Sequence, residues 1–198
     1  MLKYFGIAND NLKVKVMKKI ERDLLLEKIG EWQIKAQNEN DPFNKYLSIF
    51  IAYNIFYNLY KKSEQPKANL SRDDSKRAVA TLSLMNKSLL FESLKADLEQ
   101  YLKFIFIYSE EFWGKVGISY TLKGAFQRND AEESIEMLLK WLYRVRCNLV
   151  HGEKNYDDEK QKKLLSMSSL LTEKILQHLI EMYQQLYVNG AKNNLFDD

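Results

Sequence analysis

Residues 131–152 read AEESIEMLLKWLYRVRCNLVHG, and this stretch carries the clearest structural pattern in the chain. Its apolar residues recur every three or four positions, which is the spacing of one buried face of a helix. They are Ile135, Leu138, Leu139, Leu142, Val145 and Leu149. Gly152 follows the last of them closely, and a glycine in that position commonly ends a helix. The stretch therefore predicts an amphipathic helix from about Ala131 to Val150.

The same reasoning divides the rest of the chain into further helices. The predicted set covers about 11–36, 42–60, 72–89, 92–108, 131–150 and 158–187. In the first of these, Val14, Ile20, Leu24 and Trp32 are expected to face inward. Residues 61–70 are expected to form a polar loop, and residues 114–128 an irregular segment with Ile118–Leu122 extended. The prediction is an all-α protein, an antiparallel bundle of about five to six helices in one domain spanning 1–198, with a frayed tail at 189–198.

Composition fits a water-soluble helical domain. The chain has 198 residues, which is enough for one sizeable core, and only seven glycines and two prolines interrupt it. It contains neither an apolar run long enough to cross a membrane nor an apolar leader at its start. Its single cysteine, Cys147, excludes an internal disulfide and suits a reducing compartment. We therefore expect a cytoplasmic protein without a membrane partner.

The charge and the motifs exclude several classes of function. A net charge of +3 is too small for nucleic-acid binding by bulk attraction, although a small site focused by a few cations remains compatible with it. The sequence has neither a glycine-rich phosphate loop nor a cysteine and histidine pattern for zinc. His178 and Glu181 have the spacing of a metal-ligating pair, but a second such pair is missing. We expect no metal and no cofactor.

Arg146 and His151 are the best candidates for chemistry. At about 100° per residue, Arg146 lies beside the apolar stripe of the predicted helix, whereas Arg144 points to solvent. A half-buried arginine needs a carboxylate from a neighbouring helix or an anionic ligand. Arginine holds phosphate oxygens in a planar fork, and histidine exchanges protons near neutral pH. Arg146, His151 and Lys154 are therefore a small group of residues suited to binding and reacting with a phosphate. The alternative is that a neighbouring carboxylate neutralises Arg146.

Residues 143–154, YRVRCNLVHGEK, resemble the signature of the HEPN superfamily, in which four to six residues stand between an arginine and a following histidine. Two other stretches are similar to that family: the aromatic segment 50–57, FIAYNIFY, and the acidic, then leucine-rich segment 157–171. The resemblance covers about 42–186, which would be the HEPN-like core.

The resemblance implies a dimeric helical bundle with metal-independent endoribonuclease activity. Arg146 and His151 would be the catalytic pair and Asn148 the polar residue within the motif, with Lys154 and Asn54 in support. Many members act as toxins or in anti-phage defence, so a cognate antitoxin or a defence-system subunit is a further expected partner besides RNA. The expected products are a 2′,3′-cyclic phosphate and a 5′-hydroxyl.

Two other functions and two roles for the aromatic helix stay open. The same fold can act as a binding module that holds a nucleotide or phosphate without cleavage, or as a structural dimer. Tyr53, Phe56, Tyr57 and Tyr60 share helical spacing, which favours packing in the core or at a dimer face over stacking on RNA bases. Asn54 in that helix is a candidate to hydrogen-bond the segment around Arg146. We expect the dimer face to involve the helices at 131–150 and 158–187.

Overall fold

The computed structural model describes residues 4–64, 74–112, 117–150 and 158–188, and every regular element in them is helical. Seven α-helices lie in these ranges: α1 Tyr4–Asn38, α2 Pro42–Glu64, α3 Asp74–Ala80, α4 Lys87–Phe112, α5 Gly117–Gln127, α6 Ala131–Val150 and α7 Glu159–Tyr183. A short 3-10 turn at Thr81–Ser83 and a π-helical turn at Gln184–Val188 complete them. The all-α bundle is confirmed, and the described ranges contain seven α-helices where about five to six were expected.

Helix α2 lies at the centre of the bundle, packed between α1 and α7, while α4 packs against α6 and α7. The connection between α1 and α2 is short, and the Asp41 side chain accepts a hydrogen bond from the Asn44 backbone at 2.9 Å. Such an acceptor satisfies a backbone donor that the first turn of a helix leaves without a partner. A three-residue connection also makes the two helices antiparallel neighbours.

The inward face of α1 differs from the sequence prediction. Ile20 and Leu24 are 61% and 47% exposed, whereas the buried positions within residues 19–38, the part of α1 whose side chains are described, are Arg22, Ile29 and Ala36. These three are seven residues apart, so they share one face. The prediction failed because it sought apolar residues, whereas Arg22 is buried by donating from Nη1 to the Tyr187 carbonyl at 3.2 Å. Trp32 packs partly against the core, and the side chain of Val14 lies outside the described residues.

The prediction of an irregular segment at 114–128 with an extended Ile118–Leu122 was wrong, because Gly117–Gln127 is helix α5. Leu122 and Ala125 are fully buried, and Ile118 and Phe126 pack against the core, which is helical spacing. Asn129 then adopts φ 56°, the left-handed conformation that commonly follows a helix. The backbone amides of Asn129 and Asp130 bond to the carbonyls of Phe126 and Ala125, which closes the helix end.

Other helix boundaries differ from the predicted ones for local reasons. The single helix predicted at 72–89 is divided, because the Asn86 side chain accepts from the Leu89 backbone amide at 3.1 Å and begins α4. Of the predicted 61–70 loop, residues 61–64 are the last turn of α2, and residues 65–70 lie outside the described residues, as does the tail at 189–198. No described helix is both long and apolar enough to cross a membrane.

A buried chain of hydrogen bonds fixes α6 in the bundle. Trp141 is fully buried, and its Nε1 donates to the Tyr101 hydroxyl of α4 at 2.9 Å. That hydroxyl in turn lies 2.7 Å from the Ser168 hydroxyl of α7. Buried polar groups that all have partners specify one arrangement of the elements that carry them. The position of α6, and with it the motif on its last turns, is therefore set by α4 and α7.

Candidate functional site

Helix α6 runs from Ala131 to Val150, as its apolar spacing predicts, and carries the motif residues at its carboxyl end. The Asp130 side chain accepts from the Glu133 backbone amide at 3.0 Å and begins the helix. Arg144 is exposed and Arg146 half-buried, so the predicted orientation of the two arginines is confirmed. Arg146 is therefore the arginine that the fold directs toward neighbouring helices.

The guanidinium of Arg146 lies over an aromatic ring of α2. Its Cζ is 5.9 Å from the centroid of Phe50. Among the described residues, no salt bridge or hydrogen bond reaches this guanidinium. The sequence left open whether a carboxylate of a neighbouring helix neutralises Arg146. The described part of the chain contains no such carboxylate. A half-buried cation in this position is suited to an anionic ligand.

Three aromatic rings of α2 lie in a row, and the first of them, Phe50, lies beneath the guanidinium of Arg146. The ring of Phe50 lies 5.7 Å from that of Tyr53, and the ring of Tyr53 lies 5.5 Å from that of Tyr57. The ring of Tyr143 on α6 packs against the ring of Phe50, with their centroids 6.0 Å apart. Tyr53 and Tyr57 are 2% and 0% exposed, so this row packs in the core of the chain. Of the two roles left open for these rings, core packing is the one observed.

A second arginine, Arg77 on α3, lies at the far end of the same row. Its Cζ is 5.9 Å from the centroid of Tyr57. Helix α3 packs against both α2 and α6, which brings Arg77 to this side of the bundle. Arg77 could not be singled out from the sequence, because a lone arginine in a polar stretch carries no local signal and the rings near it come from another helix.

The tyrosine hydroxyls along this row differ in their hydrogen bonding. Tyr46 donates to the Leu142 carbonyl at 2.6 Å, and Tyr53 donates to the Ala78 carbonyl at 3.0 Å. The buried hydroxyl of Tyr57, by contrast, has no partner among the residues that the structure describes. Burial and the neighbouring Tyr143 hydroxyl raise the pKa of Tyr57 to about 12, against the opposing effect of Arg77 and Arg146. The group therefore stays protonated near neutral pH and is available as a donor.

The remaining site residues from the sequence are placed as follows. Asn148 is 7% exposed on the buried side of α6, and Cys147 is a half-buried free thiol. The side-chain oxygen of Asn54 accepts from the Asn58 amide, one turn further along α2, at 2.8 Å. No hydrogen bond joins Asn54 to the described part of α6. His151 follows Val150 directly in the chain, but His151, Gly152 and Lys154 lie outside the described residues.

The other histidine lies in a separate groove. His178 on α7 lines an open groove of about 590 Å³ between α1, α4 and α7, together with Gln33, Leu89 and Glu181. Burial is the main cause that lowers the pKa of His178 below its ordinary value. In the ranges that the structure describes, no three histidine, cysteine or acidic side chains are grouped so that they could hold a metal ion.

Comparisons of the chain with protein-family models, with curated proteins and with solved structures found no match.

Proposed function

We propose that this protein is a metal-independent endoribonuclease of the HEPN type. The observation that supports it most is the half-buried Arg146, which lies over Phe50 without a carboxylate among the described residues and is followed five positions later by His151. An arginine held in this way suits a phosphate group, and the next titratable side chain along the chain that works near neutral pH is a histidine. The resemblance of residues 143–154 to the HEPN signature points to the same chemistry.

The reaction uses a nucleophile that RNA itself carries. The 2′-oxygen attacks the adjacent phosphorus in line, the bond from phosphorus to the 5′-oxygen breaks, and a 2′,3′-cyclic phosphate and a 5′-hydroxyl result. The proton of the 2′-hydroxyl passes to a base, and the leaving 5′-oxygen receives a proton from an acid. His151 serves in one of these transfers, and Arg146 stabilises the negative charge that builds up on the phosphate oxygens.

The decisive experiment is incubation of the purified protein with total cellular RNA in EDTA. We expect cleavage to continue in the chelator and the fragments to carry 2′,3′-cyclic phosphate ends, while DNA of the same sequence stays intact because it lacks the 2′-hydroxyl. Cleavage that stops in EDTA would contradict the mechanism. Nucleotide binding by the pure protein with every RNA left intact would instead favour the non-catalytic binding module.

The mechanism also implies a homodimer, because His151 is the one histidine of each chain in the proposed site and supplies a base or an acid but not both. A two-fold axis beside the carboxyl end of α6 would bring two sets of Arg146 and His151 to one cleft. We therefore expect the cleavage rate per chain to fall as the protein is diluted below its dimerisation constant, measured in parallel by sedimentation velocity. A rate per chain that is unchanged when the protein sediments as a monomer would exclude a composite site.

The biological setting proposed for such an enzyme is a toxin–antitoxin pair or an anti-phage defence system, in which a cognate partner restrains cleavage. The resemblance to HEPN proteins alone supports this setting. Expression in a bacterial host is its simplest test: the wild-type chain should slow growth, and co-expression of the partner encoded beside it should restore growth. Normal growth of a host that contains the active enzyme would contradict the proposal that the protein is a toxin.

A further inference from the structure

The groove between α1, α4 and α7 is a second concave surface, and its helices differ from α6 and α2, which meet at Arg146. Its floor is the face of α7 from Leu170 to Glu181, and its walls are Gln33 and Gln37 of α1 and the first turns of α4. At 1.5 Å per residue the floor is about 16 Å long, which is three turns of a helix. The open groove, of about 590 Å³, therefore has the length of a short helical segment.

Two exposed leucines line this groove from different helices. Leu89, near the start of α4, is 59% exposed, and Leu170 on α7 is 43% exposed. Single exposed leucines are common on protein surfaces, but two that line one groove offer a partner apolar area to bury. Burial of apolar area is the main favourable contribution to most protein association. The groove therefore offers apolar contacts both on its wall and on its floor.

The carboxylates in the groove leave an excess of negative charge. Glu173 and Glu181 both line it, and they are eight residues apart on α7, or about 12 Å along the axis. Glu173 accepts from the Gln37 amide at 3.2 Å, and Glu181 accepts from the Gln177 amide at 2.8 Å. Both donors are uncharged, and within the described ranges no cation pairs with either carboxylate.

The basic side chains that line the groove do not cancel this charge. Lys174 is paired with Asp97 of α4. Burial is the main cause that lowers the pKa of His178, and the opposing effect of Glu181 is smaller, so the imidazole is neutral near neutral pH. The complement of the groove is therefore a cation with an apolar neighbour.

We propose that the groove is a docking site for a partner protein, which places in it an amphipathic helix with aliphatic side chains and a lysine or arginine for each of Glu173 and Glu181. The aliphatic side chains would cover Leu89 and Leu170, and the cations would pair with the two carboxylates. A helix held in a groove by apolar residues at i, i+4 and i+7 is a common mode of recognition. This inference goes beyond the proposed ribonuclease function and does not depend on it.

The charge of the groove argues against three other occupants. RNA is a polyanion, so Glu173 and Glu181 would repel it. Two copies of the chain that met through this groove would bring like carboxylates together, because a two-fold interface places one surface against itself. Residues 189–198 of the chain carry one lysine and two aspartates, so they do not supply the positive charge either.

Isothermal titration calorimetry with a designed peptide tests the proposal. The probe is an alanine-rich peptide of about 14 residues with blocked ends, leucines at i, i+4 and i+7, and a lysine beside the first and the last leucine. A control peptide has glutamate in place of both lysines. We expect the lysine peptide to bind the whole chain with micromolar affinity that weakens as KCl is added, and the glutamate peptide not to bind.

One pair of double variants tests the charges of the groove. Glu173→Gln with Glu181→Gln should weaken binding of the lysine peptide about tenfold and remove most of its salt dependence, because both ion pairs are lost. Glu99→Gln with Glu136→Gln removes the same charge from α4 and α6 outside the groove, where the carboxylates pair with lysines of their own helices. This second variant should change the affinity by less than twofold.

A pair of single variants tests the apolar contact. Leu89→Gln should weaken the lysine peptide about tenfold, because the burial of one leucine is lost. Ile107→Gln removes an even more exposed apolar side chain from the other end of α4, outside the groove, and should leave the affinity unchanged. Both side chains are largely exposed in the free protein, so both variants should keep the wild-type thermal stability.

The outcomes separate the possible occupants. Absence of binding, equal affinity for the two peptides, or wild-type affinity in both Leu89→Gln and the Glu173 and Glu181 double variant would overturn the proposal. A dimerisation constant that these groove variants shift in sedimentation velocity would assign the groove to a second copy and would also overturn it. Arg146→Ala should bind the lysine peptide as the wild type does, so failure of the docking site and failure of the ribonuclease proposal are measured separately.

Discussion

Replacing His151 by alanine is expected to lower the rate of RNA cleavage by about 10²–10⁴-fold, because that is the usual contribution of a positioned acid or base. The side chain is proposed to move the proton of the 2′-hydroxyl or of the leaving 5′-oxygen. Its removal leaves Arg146 and the phosphate contacts in place, so binding of a 2′-O-methyl oligonucleotide should change by less than twofold. The measurement is the single-turnover rate on a defined RNA in EDTA, beside the binding constant.

The chain offers a matched control for this experiment. His178 is its only other histidine, and it lines the groove between α1, α4 and α7 rather than the surface around Arg146. His178→Ala should cleave RNA at the wild-type rate, and His151→Ala should retain the wild-type circular dichroism spectrum. Cleavage by His151→Ala at the wild-type rate would refute the acid–base assignment. Equal losses in both histidine variants would indicate a structural effect instead.

The start and the buried face of helix α6 could be predicted because both depend on local sequence. Six apolar residues define one face, and Asp130 supplies an acceptor to the first turn. The half-buried position of Arg146 then follows from angular arithmetic alone, since the helix is regular and its buried face is unambiguous. Here sequence periodicity was sufficient for both the element and the orientation of its candidate catalytic residue.

Long-range contacts account for the residues that could not be predicted. Arg22 is buried because a carbonyl 165 residues away, at Tyr187, accepts its hydrogen bond. In α5, the segment Ile118–Leu122 alternates apolar and polar residues over five positions, which fits a strand as well as a helix. Arg77 reaches the surface near Arg146 only because α3 packs against α2 and α6. None of these outcomes depends on neighbours in the sequence.

Replacing Arg146 by alanine is expected to lower kcat by roughly 10³-fold or more, the effect found for arginines that stabilise a phosphoryl transition state. The loss should fall mainly on kcat, because charge on the phosphate oxygens increases as the 2′-oxygen attacks and the interaction strengthens only then. The folded state should lose little. The guanidinium contact with Phe50 is worth only about 0.5–1 kcal/mol, and no described carboxylate is left without its partner. Arg146→Ala should therefore unfold close to the wild-type midpoint in urea.

Arg146→Lys sharpens the same prediction, because lysine keeps the charge but not the planar fork that holds two phosphate oxygens at once. We expect its kcat to lie between those of the wild type and Arg146→Ala, with a KM close to the wild-type value. Arg144→Ala, which removes an exposed arginine two positions away, should leave both constants unchanged. If Arg146→Ala and Arg144→Ala lowered kcat equally, the arginine over Phe50 would have no special role and general charge near the RNA would account for both losses. A selective loss in Arg146→Ala, graded through lysine, requires a directed contact with the reacting phosphate.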